Sequence, residues 1–370
     1  MITCKVMVVF GTRPEAIKQA PIIRELRSRP GAFETIVCAT AQHRQMQDQV
    51  QDVFGIKADY DLDLMTPGQS LDQVVAGVLT GVGEVLETEQ PDWVLVQGDT
   101  STAFAAGLAA FHRGVRVGHV EAGLRTGRRD EPFPEEVYRR MVSTFADLHF
   151  APTPHARQAL ITEGVDRDRV LVTGNPVIDA LHWTLAQGDV PLSADVAAAL
   201  EHPTILVTGH RRESFGAGFE ALCAGLARLA VAHPDHRVLY PVHLNPEVRR
   251  PVTELLGGID NVVLTEPLDY AQFVNVMRRS SFIITDSGGI QEEATALAKP
   301  VLVMREVTER PEAVVAGVAE LVGTDADRIF ERASALIEGG AAHARALDAS
   351  DIYGDGQARV RIVDALVDRP

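Results

Sequence analysis

The apolar residues of this 370-residue chain fall into short runs separated by stretches where they recur every three or four positions. Runs at 5–10, 34–39, 93–96, 115–120, 148–151 and 170–172 are rich in Val and Ile or bounded by turn residues, as strands are. The same pattern returns at 204–207, 237–240, 262–264, 282–285, 301–304 and 320–322. Between these runs, segments 15–27, 101–112, 219–232 and 270–279 carry the period of amphipathic helices. Strand alternating with helix predicts a parallel α/β sheet, and strands apolar on both faces predict helices covering both sides. The alternation pauses over 185–203, which is rich in Ala and Asp. The chain therefore reads as two Rossmann-like parallel-sheet domains, 1–185 and 186–355, with a carboxy-terminal helix near 356–370 that can pack back on the first. Such sheets bind ligands beyond the carboxyl ends of their strands, so the expected site lies in the cleft between the halves.

Charge and cysteine usage narrow the function. A formal net charge of −16 argues against nucleic acid or an anionic membrane as partner, while leaving room for a small anionic substrate in a local basic pocket. No apolar stretch approaches the roughly 18–20 residues of a membrane span. The start, Met1-Ile2-Thr3-Cys4-Lys5, enters a strand directly and lacks a signal peptide's pattern. Cys4, Cys38 and Cys223 are scattered and offer neither a disulfide framework nor a thiolate zinc site. The expectation is a soluble cytoplasmic protein.

The candidate chemistry lies just after strands. The run ending at Thr285 breaks into Asp286-Ser287-Gly288-Gly289 and restarts as a helix carrying Glu292 and Glu293. A helix start presents unpaired N–H groups to an anion, and glycines let the backbone approach it closely. Phosphate there, with the two glutamates on a ribose diol, is one reading; a plain turn capped by Asp or Ser is the other. The first strand leads into Gly11-Thr12-Arg13-Pro14-Glu15-Ala16-Ile17-Lys18, where Arg13 and Lys18 flank a helix start opened by Pro14. Asp99 follows another strand and suits either chemistry or an N-cap. Glu121 leaves a buried strand, where a carboxylate must be used or paired, and Arg125 is the nearest candidate partner. Glu135 and Glu136 follow Pro132-Phe133-Pro134, where acids also favour the helix dipole. His210-Arg211-Arg212 and His243-Leu244-Asn245-Pro246 follow strands of the second half. Gly216-Ala217-Gly218-Phe219-Glu220-Ala221 lies too far past its strand for a dinucleotide fingerprint. A P-loop, an HExxH motif and a nucleophile elbow are missing from the sequence. Three carboxylates facing a histidine, arginines and a phosphate turn suit proton abstraction from a nucleotide-linked substrate with diphosphate leaving.

These motifs, together with Ala41-Gln42-His43-Arg44-Gln45-Met46, Thr308-Glu309-Arg310-Pro311-Glu312-Ala313 and Tyr353-Gly354-Asp355-Gly356, resemble the non-hydrolysing UDP-N-acetylglucosamine 2-epimerases, in family order over nearly the whole chain. The resemblance implies a GT-B fold and reversible conversion of UDP-GlcNAc to UDP-ManNAc, an isomerase reaction without cofactor or metal. UDP is eliminated to give 2-acetamidoglucal and adds back after reprotonation. It implies Asp99, Glu121 and Glu135 as the acid/base set and His210 on the diphosphate or leaving oxygen. Arg13, Lys18, Ser287, Gly288, Gly289 and Arg310 are implied to hold phosphate, Glu293 the ribose and Phe273 the uracil region. A second, activating UDP-GlcNAc is implied at Gln42, His43, Arg44, Gln45 and His243, and a homodimer serving cell-surface polysaccharide synthesis is implied as well. The chain departs from the family pattern at Gly68, at 128–131, at Tyr138 and at Ser214. A GT-B glycosyltransferase would share the nucleotide turn but need an acceptor pocket instead of carboxylates at C2. A hydrolysing epimerase would release free ManNAc, and a non-catalytic sensor would not need Asp99, Glu121 and Glu135.

Overall fold

The computed structural model describes residues 4–40, 53–64, 66, 68–209, 216–339 and 351–367. The chain divides into two compact units, one made of residues up to His182 together with those from Tyr353 onward, the other spanning Trp183–Ile352.

In the first unit β1 (Cys4–Phe10), α1 (Arg13–Arg27), β2 (Phe33–Ala39), β3 (Tyr60–Asp61), α2 (Leu71–Glu89), β4 (Trp93–Gln97), α3 (Ser101–His112), β5 (Arg116–Val120), α4 (Glu135–Phe145), β6 (Leu148–Ala151), α5 (Pro154–Thr162) and β7 (Val170–Val172) follow in order. The strands form one parallel sheet in the order β3-β2-β1-β4-β5-β6-β7. Helix α6 (Pro176–Ala186) runs across the boundary between the units. Met7, Val9, Val94 and Val96 are buried in a core that includes Val82 and Leu86 of α2 and Ala106 and Ala110 of α3.

The second unit contains α7 (Ala194–Ala199), β8 (Thr204–Thr208), α8 (Ala217–Ala232), β9 (Arg237–Pro241), α9 (Pro246–Leu256), β10 (Val262–Thr265), α10 (Tyr270–Arg279), β11 (Phe282–Thr285), α11 (Gly288–Ala296), β12 (Val301–Val303), α12 (Pro311–Val315), β13 (Ala319–Leu321) and α13 (Ala326–Gly339). Its sheet, also parallel, runs β10-β9-β8-β11-β12-β13. After it, α14 (Ala358–Val367) packs on α1 of the first unit.

The sheet orders locate the functional ends. Chain direction reverses its progress across the sheet between β1 and β4 in the first unit and between β8 and β11 in the second. At such switch points adjacent loops splay apart at the strands' carboxyl ends and leave room for a ligand. The loops there begin at Gly11 and Gly98 in one unit and at Gly209 and Asp286 in the other. Strand β3 is too short and too polar to stand out in the sequence, and the helix over 194–199 lies inside the stretch read as a passage between domains. Among the described residues, no helix is long and apolar enough to cross a membrane.

Candidate active site

In the first unit Thr12 caps α1, with its hydroxyl and the Glu15 carboxylate reciprocally bonded to backbone N–H groups. Arg13 is therefore the first helical residue and Lys18 lies just over one turn further on, buried. Lys18 Nζ forms an ion pair with Oε2 of Glu121 at the end of β5. The same oxygen accepts from Gln97 Nε2 at 2.9 Å and from Asn175 Nδ2 at 3.0 Å. Glu121 is 8% exposed, and its backbone sits at φ +63°, a conformation costly for a residue with a side chain. A buried carboxylate in a strained backbone persists only where its surroundings over-determine it, and donors from β4, α1 and the loop after β7 do so here. The expected alternative partner, Arg125, instead grips Glu163, with Nη2 to Oε2 at 2.7 Å.

Asp99 is not an N-cap; Thr100 caps α3. Arg139 of α4 pairs with Asp99 and, at 3.1 Å, with Glu136. Glu136 also accepts from the N–H groups of Thr126 (3.1 Å) and Gly127 (3.2 Å), so it folds the loop after β5 onto α4. Glu135 is the first residue of that helix and half-buried. The turn carrying Asp99 is held from two further sides. Buried His119 donates from Nε2 to the Gly98 carbonyl at 2.7 Å, and the Thr100 hydroxyl donates to Glu15 at 2.7 Å. Glu15 also accepts from the N–H groups of Thr12 (2.8 Å) and Gly11 (3.2 Å). Burial pushes its carboxyl up to about 7 and pushes His119 down to about 4, so the histidine is neutral at physiological pH. The first unit thus gathers Arg13, Lys18, Asp99, Glu121 and Glu135 from elements around the carboxyl end of one sheet.

In the second unit the turn between β11 and α11 is built as an open helix start. Ser287 takes the capping position from extended backbone, yet its hydroxyl makes no cap bond. Its N–H donates to Thr285 Oγ1 at 3.0 Å, and that hydroxyl lies 2.6 Å from Thr208 Oγ1 of β8, across the switch point. The Tyr240 hydroxyl donates to the Gly209 carbonyl at 3.1 Å and steadies the loop after β8. Gly288 is required by its neighbours: a Cβ there would run into the Arg310 guanidinium and lie 3.0 Å from Glu309 Oε1. Arg310 is buried and paired with Glu292 and Glu309, and Arg305 bonds the other oxygen of Glu309 at 2.8 Å. Glu292, read from the sequence as a ribose ligand beside Glu293, is therefore spent on Arg310, and both glutamates sit one turn deeper than the helix start. Glu293 accepts from the Tyr270 hydroxyl at 2.7 Å, which joins α11 to α10, where Phe273 is half-buried. His243 follows β9, one strand outside β8, and its Nδ1 accepts from the Asn245 N–H at 3.1 Å. His210, Gln42, His43, Arg44 and Gln45 lie outside the described residues.

Asn175, Gln97, Arg139 and Tyr270, which hold the candidate carboxylates, were not singled out by the sequence reading. Asn175 and Gln97 do end or follow strands, the signal that found the others. Arg139 stands four residues after Glu135, within helical reach of the same end. Among the described residues no group of three or more His, Cys, Asp or Glu side chains is placed to hold a metal ion.

A sequence profile of UDP-N-acetylglucosamine 2-epimerases matches residues 24–367. The UDP-N-acetylglucosamine 2-epimerase of Escherichia coli is 51% identical over 369 residues, covering 98% of each chain. That of Yersinia pestis is 51% identical over 371 residues with the same coverage. The crystal structure of the UDP-GlcNAc 2-epimerase from Neisseria meningitidis, bound to UDP-GlcNAc, superposes with a TM-score of 0.93 at 45% identity, covering 99% of this chain and all of that one (100%). With its paired parallel sheets and these full-length matches, this chain belongs to the UDP-N-acetylglucosamine 2-epimerase family and has its GT-B fold.

Proposed function

We propose that the chain interconverts UDP-GlcNAc and UDP-ManNAc, the second domain's Asp286-Ser287-Gly288-Gly289 turn holding UDP and the first domain's carboxylates acting at C2. The observation that carries this is Glu121: a strained, nearly buried carboxylate on a strand end, set by Lys18, Gln97 and Asn175, beside a second carboxylate set by Arg139. A nucleotide-binding protein has no need for two such acids, whereas inversion at a weakly acidic carbon needs a base on one face and an acid on the other.

In this mechanism a carboxylate takes the C2 proton, the C–H electrons form the C1=C2 bond, and the C1–O bond breaks to release UDP and 2-acetamidoglucal. A proton then returns to C2 on the opposite face, and a UDP oxygen re-forms the bond to C1. The helix start at Gly288 and Gly289 stabilises the charge that gathers on the departing diphosphate, with Arg13 and Lys18 as further cationic groups. Glu293 takes the ribose hydroxyls and Phe273 flanks the uracil. Asp99, Glu121 and Glu135 divide the proton transfers.

Incubation with UDP-GlcNAc in D2O, followed by NMR, tests the reading. Deuterium at C2 and a UDP-ManNAc product are expected with no acceptor added. A C2 that stays protonated, or free ManNAc as the product, overturns it.

A further inference from the structure

Glu121 is tied to the carboxy-terminal return of the chain through one side chain. Asn175 follows β7 and is fully buried. Its Oδ1 accepts from the Val177 N–H at 3.2 Å, which orients the amide so that Nδ2 faces Glu121, to which it donates at 3.0 Å. Its own N–H donates to the Tyr353 carbonyl at 2.7 Å.

The segment supplying that carbonyl is closely seated. Tyr353 is 1% exposed. A Cβ on Gly174 would lie 3.0 Å from Gly354 Cα, and one on Gly356 would run into the His182 ring. Further on, the buried Asp179 carboxylate accepts from the N–H groups of Ala358 and Arg359 (both 3.1 Å) and from Arg359 Nη1 at 2.9 Å. Arg361 Nη1 reaches back to the Thr173 carbonyl at 3.0 Å. Thr173, Asn175 and Asp179, which bracket the start of α6, are thus all held by residues from Tyr353 onward.

We propose that Asn175 is a positioning residue for Glu121, and that the returning segment sets it, making residues 353–367 a working part of the first-domain site. This rests on the epimerase reading. Loss of the Asn175 donor lets the carboxylate leave the geometry required at C2 without touching the second domain's UDP turn.

The test measures kcat, KM and the pH profile for UDP-GlcNAc, together with UDP affinity and thermal unfolding. Asn175→Ala is expected to lower kcat about 10- to 100-fold, the size of one charge-assisted hydrogen bond, with UDP affinity unchanged. Asn175→Asp keeps the shape and the Val177 acceptor but faces Glu121 with a second carboxylate, and the thermal melt reports what this costs the fold. It should lower kcat at least as far and move the acid limb of kcat/KM to higher pH. Arg359→Ala loosens the return without touching Asn175 or Glu121; it should lower kcat, and the double variant with Asn175→Ala should be no worse than Asn175→Ala alone. Wild-type kcat in Asn175→Asp, equal losses of UDP affinity and kcat, or additive losses in the double variant overturn the proposal. Wild-type protein that fails to exchange the C2 proton overturns the epimerase function itself, and this proposal with it.

Discussion

The Thr100 hydroxyl donates to Glu15 Oε1 at 2.7 Å, so the turn that carries Asp99 hangs on the first turn of α1. The bond crosses the switch point between β1 and β4 and couples the two loops that open there. Glu15 does this as a fully buried carboxyl, and burial pushes it from an ordinary 4.5 up to about 7.

That shift sets a pH dependence. Between about 4.5 and 7 the folded state keeps a proton on Glu15 that the unfolded state has lost, so this group's stabilising contribution is complete below 4.5 and is lost as pH rises through 7. Glu15→Gln, which stays neutral, should lack this dependence. Urea unfolding of both proteins at pH 4.5 and 7.5 should show the wild type gaining on the variant at low pH, by on the order of 3 kcal/mol.

His119 and His149 have the opposite sign. They pair in register across β5 and β6 with ring centroids 6.4 Å apart, and burial pushes them down to about 4 and about 3. Below the ordinary 6.5 the unfolded state takes up protons first, so each histidine costs the fold about 2 kcal/mol at pH 5. His149→Leu should lose less stability between pH 7 and pH 5 than the wild type does, by about that amount in denaturant titrations.

Glu121→Gln and Asp99→Asn should each reduce turnover by about 10²–10⁴-fold, the range for a positioned acid or base. Calorimetry should find UDP affinity within a few-fold of wild type. Loss of UDP binding in both would make these carboxylates structural.

The two glycines of the proposed UDP turn should separate. A Cβ at Gly288 displaces the buried Arg310–Glu309 pair, whereas one at Gly289 meets nothing within 4 Å. Gly288→Ala should therefore lose about 1–3 kcal/mol of stability along with UDP affinity. Gly289→Ala should unfold like wild type yet, on the proposed UDP site, bind UDP at least tenfold more weakly, because its methyl would stand where the backbone is proposed to approach the phosphate. Thermal melts with UDP titrations distinguish the pair.

Much of this was legible in the sequence because parallel α/β strands are nearly continuous apolar runs and their ends carry the function. Helices Ser101–His112 and Tyr270–Arg279 and strands Leu148–Ala151 and Phe282–Thr285 match the sequence reading residue for residue. Pairings were less visible. Arg125 stands four residues from Glu121, yet Glu121 takes Lys18, 103 positions away in the chain, because β1 and β5 both flank β4 and bring their loops together. Glu292 and Glu293 look alike in the sequence. The helix turns one toward Arg310 and the other toward Tyr270, a difference of about 100° in direction that composition does not carry.

The cap that Asp179 places on α14 also imposes an order of events on the chain. A polypeptide emerging from the ribosome has the first sheet complete by Val172, but the Tyr353 carbonyl that accepts from the Asn175 N–H, and the Ala358 and Arg359 groups that Asp179 holds, arrive only after the second domain has been made. Domains otherwise fold as they emerge, amino-terminal first. Here the outer support of the Asn175–Glu121 pair is among the last parts to be finished, so the proposed chemistry of the first domain is completed only after the proposed nucleotide turn of the second has been made.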